Sequence, residues 1–184
     1  MSILRKLKSL FGGQEEQPAQ PEAAPEIENE PEQPQTLSPE ALEEARRREE
    51  ALLEKLSTFH IAQKDTQNTS FLLMHSYRFE RPFDGPDMRA LVNGMRWLGF
   101  RIYNFSVEIG GASHACESWQ EFSRCLSEEA VEAISMLTSF GGVRVNCNIS
   151  AEGAVHFSHD SSRGVDFSPF EGLFDPEEIE PEGE

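Results

Sequence analysis

The stretch FLLMHSYRFERPFDGPDMRALVNGMRWLGFRIYNFSVEI, residues 71–109, decides the fold reading. It opens with Phe71, Leu73, His75, Tyr77 and Phe79 at every second position, the period of a strand with one buried face. Gly85-Pro86-Asp87 starts a helix, and Met88, Leu91, Val92, Met95 and Leu98 follow at helical spacing. Gly99 suits the position just past a helix end, where a left-handed backbone costs glycine nothing. Alternation then returns, predicting a strand over 100–109 with Tyr103, Phe105, Val107 and Ile109 aligned.

Toward the C-terminus, Gly110-Gly111 breaks the strand and allows a short partner strand ending near Cys116. Trp119 and Phe122 fall in a less regular connection. Ser127 predicts a helix cap, with Glu128 and Glu129 near the positive end of the dipole and Ala130, Val131, Ile134, Leu137 and Phe140 on the buried side. Gly141-Gly142 stops that helix. Residues 143–149 alternate Val143, Val145, Cys147 and Ile149 inward against Arg144, Asn146 and Asn148 outward, and Glu152-Gly153 turns the chain into a last strand around Val155 and Phe157. The predicted order over 70–159 is β-α-β-β-α-β with an extra C-terminal strand. That is an α+β, ferredoxin-like split βαβ sandwich, with two helices on one face of an antiparallel sheet.

The flanks differ in composition from this module. The chain has 184 residues and a formal charge of −17. Residues 14–40 hold eight acids and no base, and residues 160–184 hold nine acids and one base, so most of the negative charge lies outside the predicted fold. Residues 14–37, with repeated Pro and Glu, read as an extended acidic spacer unable to bury enough apolar surface to fold. Residues 38–57 start with the cap pair Ser38-Pro39 and predict a solvated, charged helical arm with Glu43–Arg47 and Glu44–Arg48 pairs. Leu42, Ala45, Leu52 and Leu56 give two heptads at most, too few for a coiled coil.

Residues 1–13 form a separate element. Ile3, Leu4, Leu7, Leu10 and Phe11 gather on one helical face, with Arg5, Lys6 and Lys8 away from it, before Gly12-Gly13. The pattern predicts a basic amphipathic helix at an anionic membrane surface, each cation adding roughly 1 kcal/mol. An irregular start, or docking on the chain's own domain, is the alternative. The expected location is cytoplasmic, peripheral to the inner face of the membrane.

Two segments, YRFERPFDGPDMRALVNGMRWLGFRIYN (77–104) and LSEEAVEAISMLTSFGGVRVN (126–146), resemble the regulator of ribonuclease activity B family. The shared pattern is strand, helix, then the Leu98-Gly99-Phe100 turn into a strand, followed by a second helix-to-strand unit. The resemblance covers about half of the chain. It implies a small, acidic, ferredoxin-like protein that inhibits a membrane-associated endoribonuclease by binding it.

Reactive groups are sparse. His114-Ala-Cys116 and His156-Phe-Ser-His159 do not match structural zinc spacings, and no phosphate loop, nucleophile elbow or dinucleotide fingerprint occurs, so neither metal nor cofactor is expected. His75 reads as a partly buried histidine and Cys147 as core. Three cysteines without framework spacing predict free thiols. Phe167, Phe170, Leu173 and Phe174 cluster ahead of an acidic end, predicting either a partner-binding element or a cover for the chain's own sheet. The acidity opposes direct nucleic-acid binding and favours a protein partner with a basic surface. The leading expectation is a non-enzymatic regulator or adaptor. A structural, oligomeric envelope-associated protein and an enzyme with a His/Cys site are the alternatives.

Overall fold

Every buried side chain of the sheet lies on one of its two faces, and that asymmetry organises the molecule. The computed structural model describes residues 38–174; the expected membrane helix, the spacer and residues 175–184 lie outside the described residues. In chain order the elements are α1 (Pro39–Leu56), β1 (Ile61–Asn68), β2 (Leu72–Phe79), α2 (Gly85–Trp97), β3 (Arg101–Ile109), β4 (Ala112–Cys116), α3 (Trp119–Glu128), β5 (Val131–Phe140), β6 (Val143–Ser150), β7 (Ala154–Asp160) and α4 (Ser168–Glu171). The strands form one antiparallel sheet in the order β1-β2-β7-β6-β5-β3-β4. The α+β class is therefore as expected, but the topology is not ferredoxin-like. In this sheet α2 carries the chain from β2 to β3 across three intervening strands, and α3 joins β4 to β5 around β3.

The difference traces to residues 119–140. The helix expected after Ser127 is the strand β5, and the connection expected around Trp119 and Phe122 is the helix α3. Ser118 caps α3 by accepting from the Glu121 N–H at 3.1 Å, and Phe122 and Leu126 bury its inner face. In β5 a bulge opposite Glu108 and Ile109 sets Val131 and Ile134 three residues apart on the same face. That spacing imitates a helix, whereas Ile134, Met136 and Thr138 then keep the strand period. The second segment likened to the ribonuclease regulators is thus mostly a hairpin, β5–β6, and only 77–104 keeps its strand–helix–strand order.

A second bulge, at Tyr103 in β3, corrects the expected alignment there. Phe105, Val107 and Ile109 face the helices, whereas Tyr103 is turned to the opposite face, 60% exposed, with its hydroxyl 3.0 Å from Ser139 Oγ. Phe71, expected on the inner face of β2, precedes the strand and is exposed.

The folded body is wider than 70–159. Strand β1, polar along nearly its whole length (IAQKDTQN), pairs with β2 at the sheet edge. Helix α1 is a solvated arm only at its start. The pairs Arg46–Glu50, Arg47–Glu43 and Arg48–Glu44 are exposed and contribute a few tenths of a kcal/mol each. Its end is anchored: Leu56 is fully buried, Leu52 and Leu53 pack on the core, and Lys55 reaches Asp87 of α2 at 3.1 Å. Gly94 permits the approach of α2 to α1, because a Cβ there would sit 2.7 Å from Leu56 Cδ1.

The C-terminal segment completes the core. Phe167, Phe170, Leu173 and Phe174, expected as partner-binding residues, are buried on the chain's own sheet. Phe167 stacks on Phe157 at 4.6 Å and Phe170 meets it edge-on at 4.9 Å, while Phe174 packs against Phe79 at 4.9 Å. Four such side chains find no comparable apolar cover in water, and each burial is worth about 1.5–3 kcal/mol. In the described structure they act in cis.

Candidate functional site

Among the described residues nothing covers the second face of the sheet. One cross-strand row runs the width of all seven strands: Asp65, Ser76, His156, Asn148, Ser135, Ser106 and Ala115. The neighbouring row holds Gln67, Met74, Ser158, Asn146, Leu137 and Asn104. Strict alternation in β6 and β7 produces these rows, because each inward Val, Cys or Phe sends its neighbour outward. The result is a lattice of amides and hydroxyls spaced by the strand separation, about 4.8 Å. Two cross-strand bonds order it: Ser135 Oγ donates to Asn148 Oδ1 at 2.8 Å, and His156 Nδ1 lies 2.8 Å from Ser76 Oγ.

A shallow trough of about 600 Å³ occupies this face over β3, β5 and β6, lined by Asn104, Ser106, Ser135, Leu137, Asn146 and Asn148. Fixed charges stay at the margins. Asp65, Glu108 and Asp160 are offset by Arg78, Arg101 and Arg144, so the middle of the face is neutral. At one end Leu72, Met74, Leu137 and Tyr103 add apolar area, with Leu72 and Tyr103 well exposed.

The remaining reactive residues do not converge. His156 and His159 are an odd number of residues apart on β7 and therefore lie on opposite faces; His114 stands opposite Val107, on the helix side and at the far edge. Among the described residues no three His, Cys, Asp or Glu side chains come together as a metal-binding group. Burial, reinforced by Cys125 and Glu121, pushes the Cys116 thiol up to about 11, and burial alone raises Cys147 further, so both are held as thiols rather than nucleophilic thiolates. Ser76 and His156 are within reach of one another, but they project from central strands whose N–H groups are committed to the ladder.

On the helix side, a second depression of about 620 Å³ lies between β1 and the C-terminal segment, bordered by His60, Lys64, Ser168, Glu171 and Phe174. Glu171 accepts from Tyr77 Oη at 3.0 Å and pairs with Lys64 at 3.2 Å. Beside it, His75 and His159 face each other, Nε2 to Nε2, at 3.3 Å. Sequence reading missed this pair because His75 and His159 are 84 residues apart and meet only through the β2–β7 register. The open face was half legible, since the outward Arg144, Asn146 and Asn148 of β6 were marked but their neighbours on β5 were assigned to a helix.

Fold and site together define a class: an α+β protein built on one seven-stranded antiparallel sheet with helices on one face and a neutral, hydrogen-bonding surface on the other. Compared with protein-family models, curated proteins and solved structures, the chain matches none. Among the described residues no helix is long and apolar enough to cross a membrane.

Proposed function

We propose that this chain is a non-enzymatic adaptor or regulator that binds another protein through the open face of its sheet. The observation that carries this reading is the uncharged row from Ser76 to Ser106 with the trough beside it. Such a face offers many hydrogen-bond donors and acceptors at low desolvation cost, and its apolar end supplies the larger contact area that protein interfaces concentrate at their centres. The acidic residues of 14–40 and 160–184 favour a partner with a basic rim and faster encounter at low salt. Residues 1–13 would hold the protein at the cytoplasmic face of a membrane, a reading supported by their sequence alone. A ribonuclease is one partner of suitable chemistry, and the likeness of 77–104 to the ribonuclease regulators is what supports it.

The test is capture from a membrane fraction with the full chain, compared with the double variant S135R/N148R and with a control, R89E, on α2. Both arginines replace exposed outward residues, so the fold is expected to tolerate them. A partner retained by the wild type and by R89E but lost with S135R/N148R supports the open face as the contact. Equal retention by all three removes the proposal.

A further inference from the structure

The geometry points to an acid-released strap: residues 165–174 are held on the sheet by the His75–His159 bridge and come away when both imidazoles are charged. This goes beyond the binding reading above, because it concerns the opposite face.

The proton inventory of the pair sets the argument. His159 is buried, 2% exposed, and its Nδ1 lies 2.9 Å from the Asp160 carbonyl oxygen, which can only accept. Nδ1 therefore donates, and the Nε2 of His159 is the acceptor in the neutral ring. His75 must then donate from its own Nε2 across the 3.3 Å gap. The ring planes differ by only 15°, and the centroids, 5.5 Å apart, are farther from each other than the two Nε2 atoms by about two ring radii. The rings meet head to head in a common plane, the arrangement of an N–H···N bond. A first added proton goes to His75 Nδ1 and keeps that bond. A second has only His159 Nε2, where N–H would be set against N–H in a buried site.

Phe167 couples this event to the strap. Its ring lies 4.7 Å from His75 and 6.0 Å from His159, and it begins the segment whose turns are closed by Glu171 N–H to Phe167 O, Gly172 N–H to Ser168 O and Phe174 N–H to Glu171 O. Glu171 of the strap acts on His75, and Asp160, whose side chain lies on the other face of the sheet, on His159; around these, Lys64 of β1 and Tyr77 of β2 are held by Glu171, Arg163 acts on Asp160, and Asp166 of the strap acts on Tyr77. Burial first, and the neighbouring His159 second, hold His75 below the ordinary histidine value, against an opposing pull from Glu171. With the strap lifted, His75 meets water and regains ordinary basicity near 6.5, and a second N–H on the pair no longer has to point at the first in a closed site. The lifted state then binds more protons than the docked one, so docking is intact above about pH 6.5 and weakens as pH falls below it. Lifting uncovers the aromatic surface around Tyr77 and Phe157, which Phe167 and Phe170 otherwise cover.

The experiment is hydrogen–deuterium exchange of the full chain between pH 7.5 and 5.5, corrected for the intrinsic pH dependence of exchange and read at the amides of 171–174. One linked proton raises strap opening about 10-fold per pH unit below 6.5, and two raise it about 100-fold. An increase well above the single-proton 10-fold, toward 100-fold, is expected over the range, with β6 amides remaining protected. In His75→Gln the amide still donates to His159 but does not titrate, so the response is expected to shrink to a single proton's worth or less. In Glu171→Gln it is expected to persist. Opening that rises about 10-fold or less in the wild type overturns the proposal, as does an undiminished response in His75→Gln. Loss of the response in Glu171→Gln would assign it to the carboxylate and overturn it equally.

Discussion

Replacing Asp87 by Asn tests how the helical layer is held together. Asp87 is 2% exposed and ties three elements. Its carboxylate accepts from Arg81 Nη1 at 2.6 Å, from Lys55 of α1 at 3.1 Å and from the Asp84 N–H at 3.1 Å, while Asp84 returns the bond to the Asp87 N–H at 2.8 Å. The last two form the capping box that starts α2. Burial by itself would raise the carboxyl pKa, but the bonds from Arg81, the Asp84 backbone and Lys55 outweigh it and hold it at about 2, against 3.8 for the free group. That gap corresponds to about 2 kcal/mol. Since the folded state binds this proton less tightly than the unfolded one, the contribution is complete above pH 3.8 and is lost as the pH falls through about 2. Asp87→Asn should therefore lower stability by about 2 kcal/mol at pH 7, or roughly 4–8 °C in Tm for a chain of this size. Urea unfolding followed by far-ultraviolet circular dichroism at pH 7 and at pH 2.5 measures both. The difference between wild type and variant should narrow at the lower pH. A loss below about 0.5 kcal/mol at pH 7, or a difference that does not change with acid, would refute the ion-pair account.

Other outcomes follow from packing and backbone geometry. Phe170→Ala, emptying a fully buried site between Tyr77, Phe157 and Phe174, should cost about 3–5 kcal/mol by the same urea measurement. Gly153→Ala should cost clearly more than Gly99→Ala: both need positive φ, +93° and +100°, but only at Gly153 would the new Cβ lie 2.4 Å from the Arg81 carbonyl oxygen. For Gly99→Ala the backbone penalty alone, about 1 kcal/mol, is expected. Cys116, with its thiol pushed up to about 11, should be alkylated by iodoacetamide at pH 8 at least tenfold more slowly than free cysteine, and equal rates would contradict its placement.

Local patterns were legible wherever one period ruled an element. The strand–helix–strand run of 72–109, the Gly99 helix end, the faultless alternation of β6 and the turn at Gly153 all match the structure, because each is fixed by neighbours within a few residues. Reading failed where a bulge shifted the period. In β5 the extra residue put Val131 and Ile134 at helical spacing, and in β3 the same device turned Tyr103 out of the aromatic row. Strand β1 escaped notice since seven of its eight residues are exposed, leaving no apolar period to read.

The residues by themselves determined an α+β class, acidic flanks around a nearly balanced middle, free thiols, and which positions of β6 and β7 point inward. Tertiary structure alone decided that the aromatic segment at 167–174 covers its own sheet, that His75 meets His159, and that Ser76, His156, Asn148, Ser135 and Ser106 share one row. The physical reason is sequence separation. Periodicity reports which side of its own strand a residue occupies, but neighbours across a sheet are set by strand order and register, and those depend on how the whole chain closes around its core.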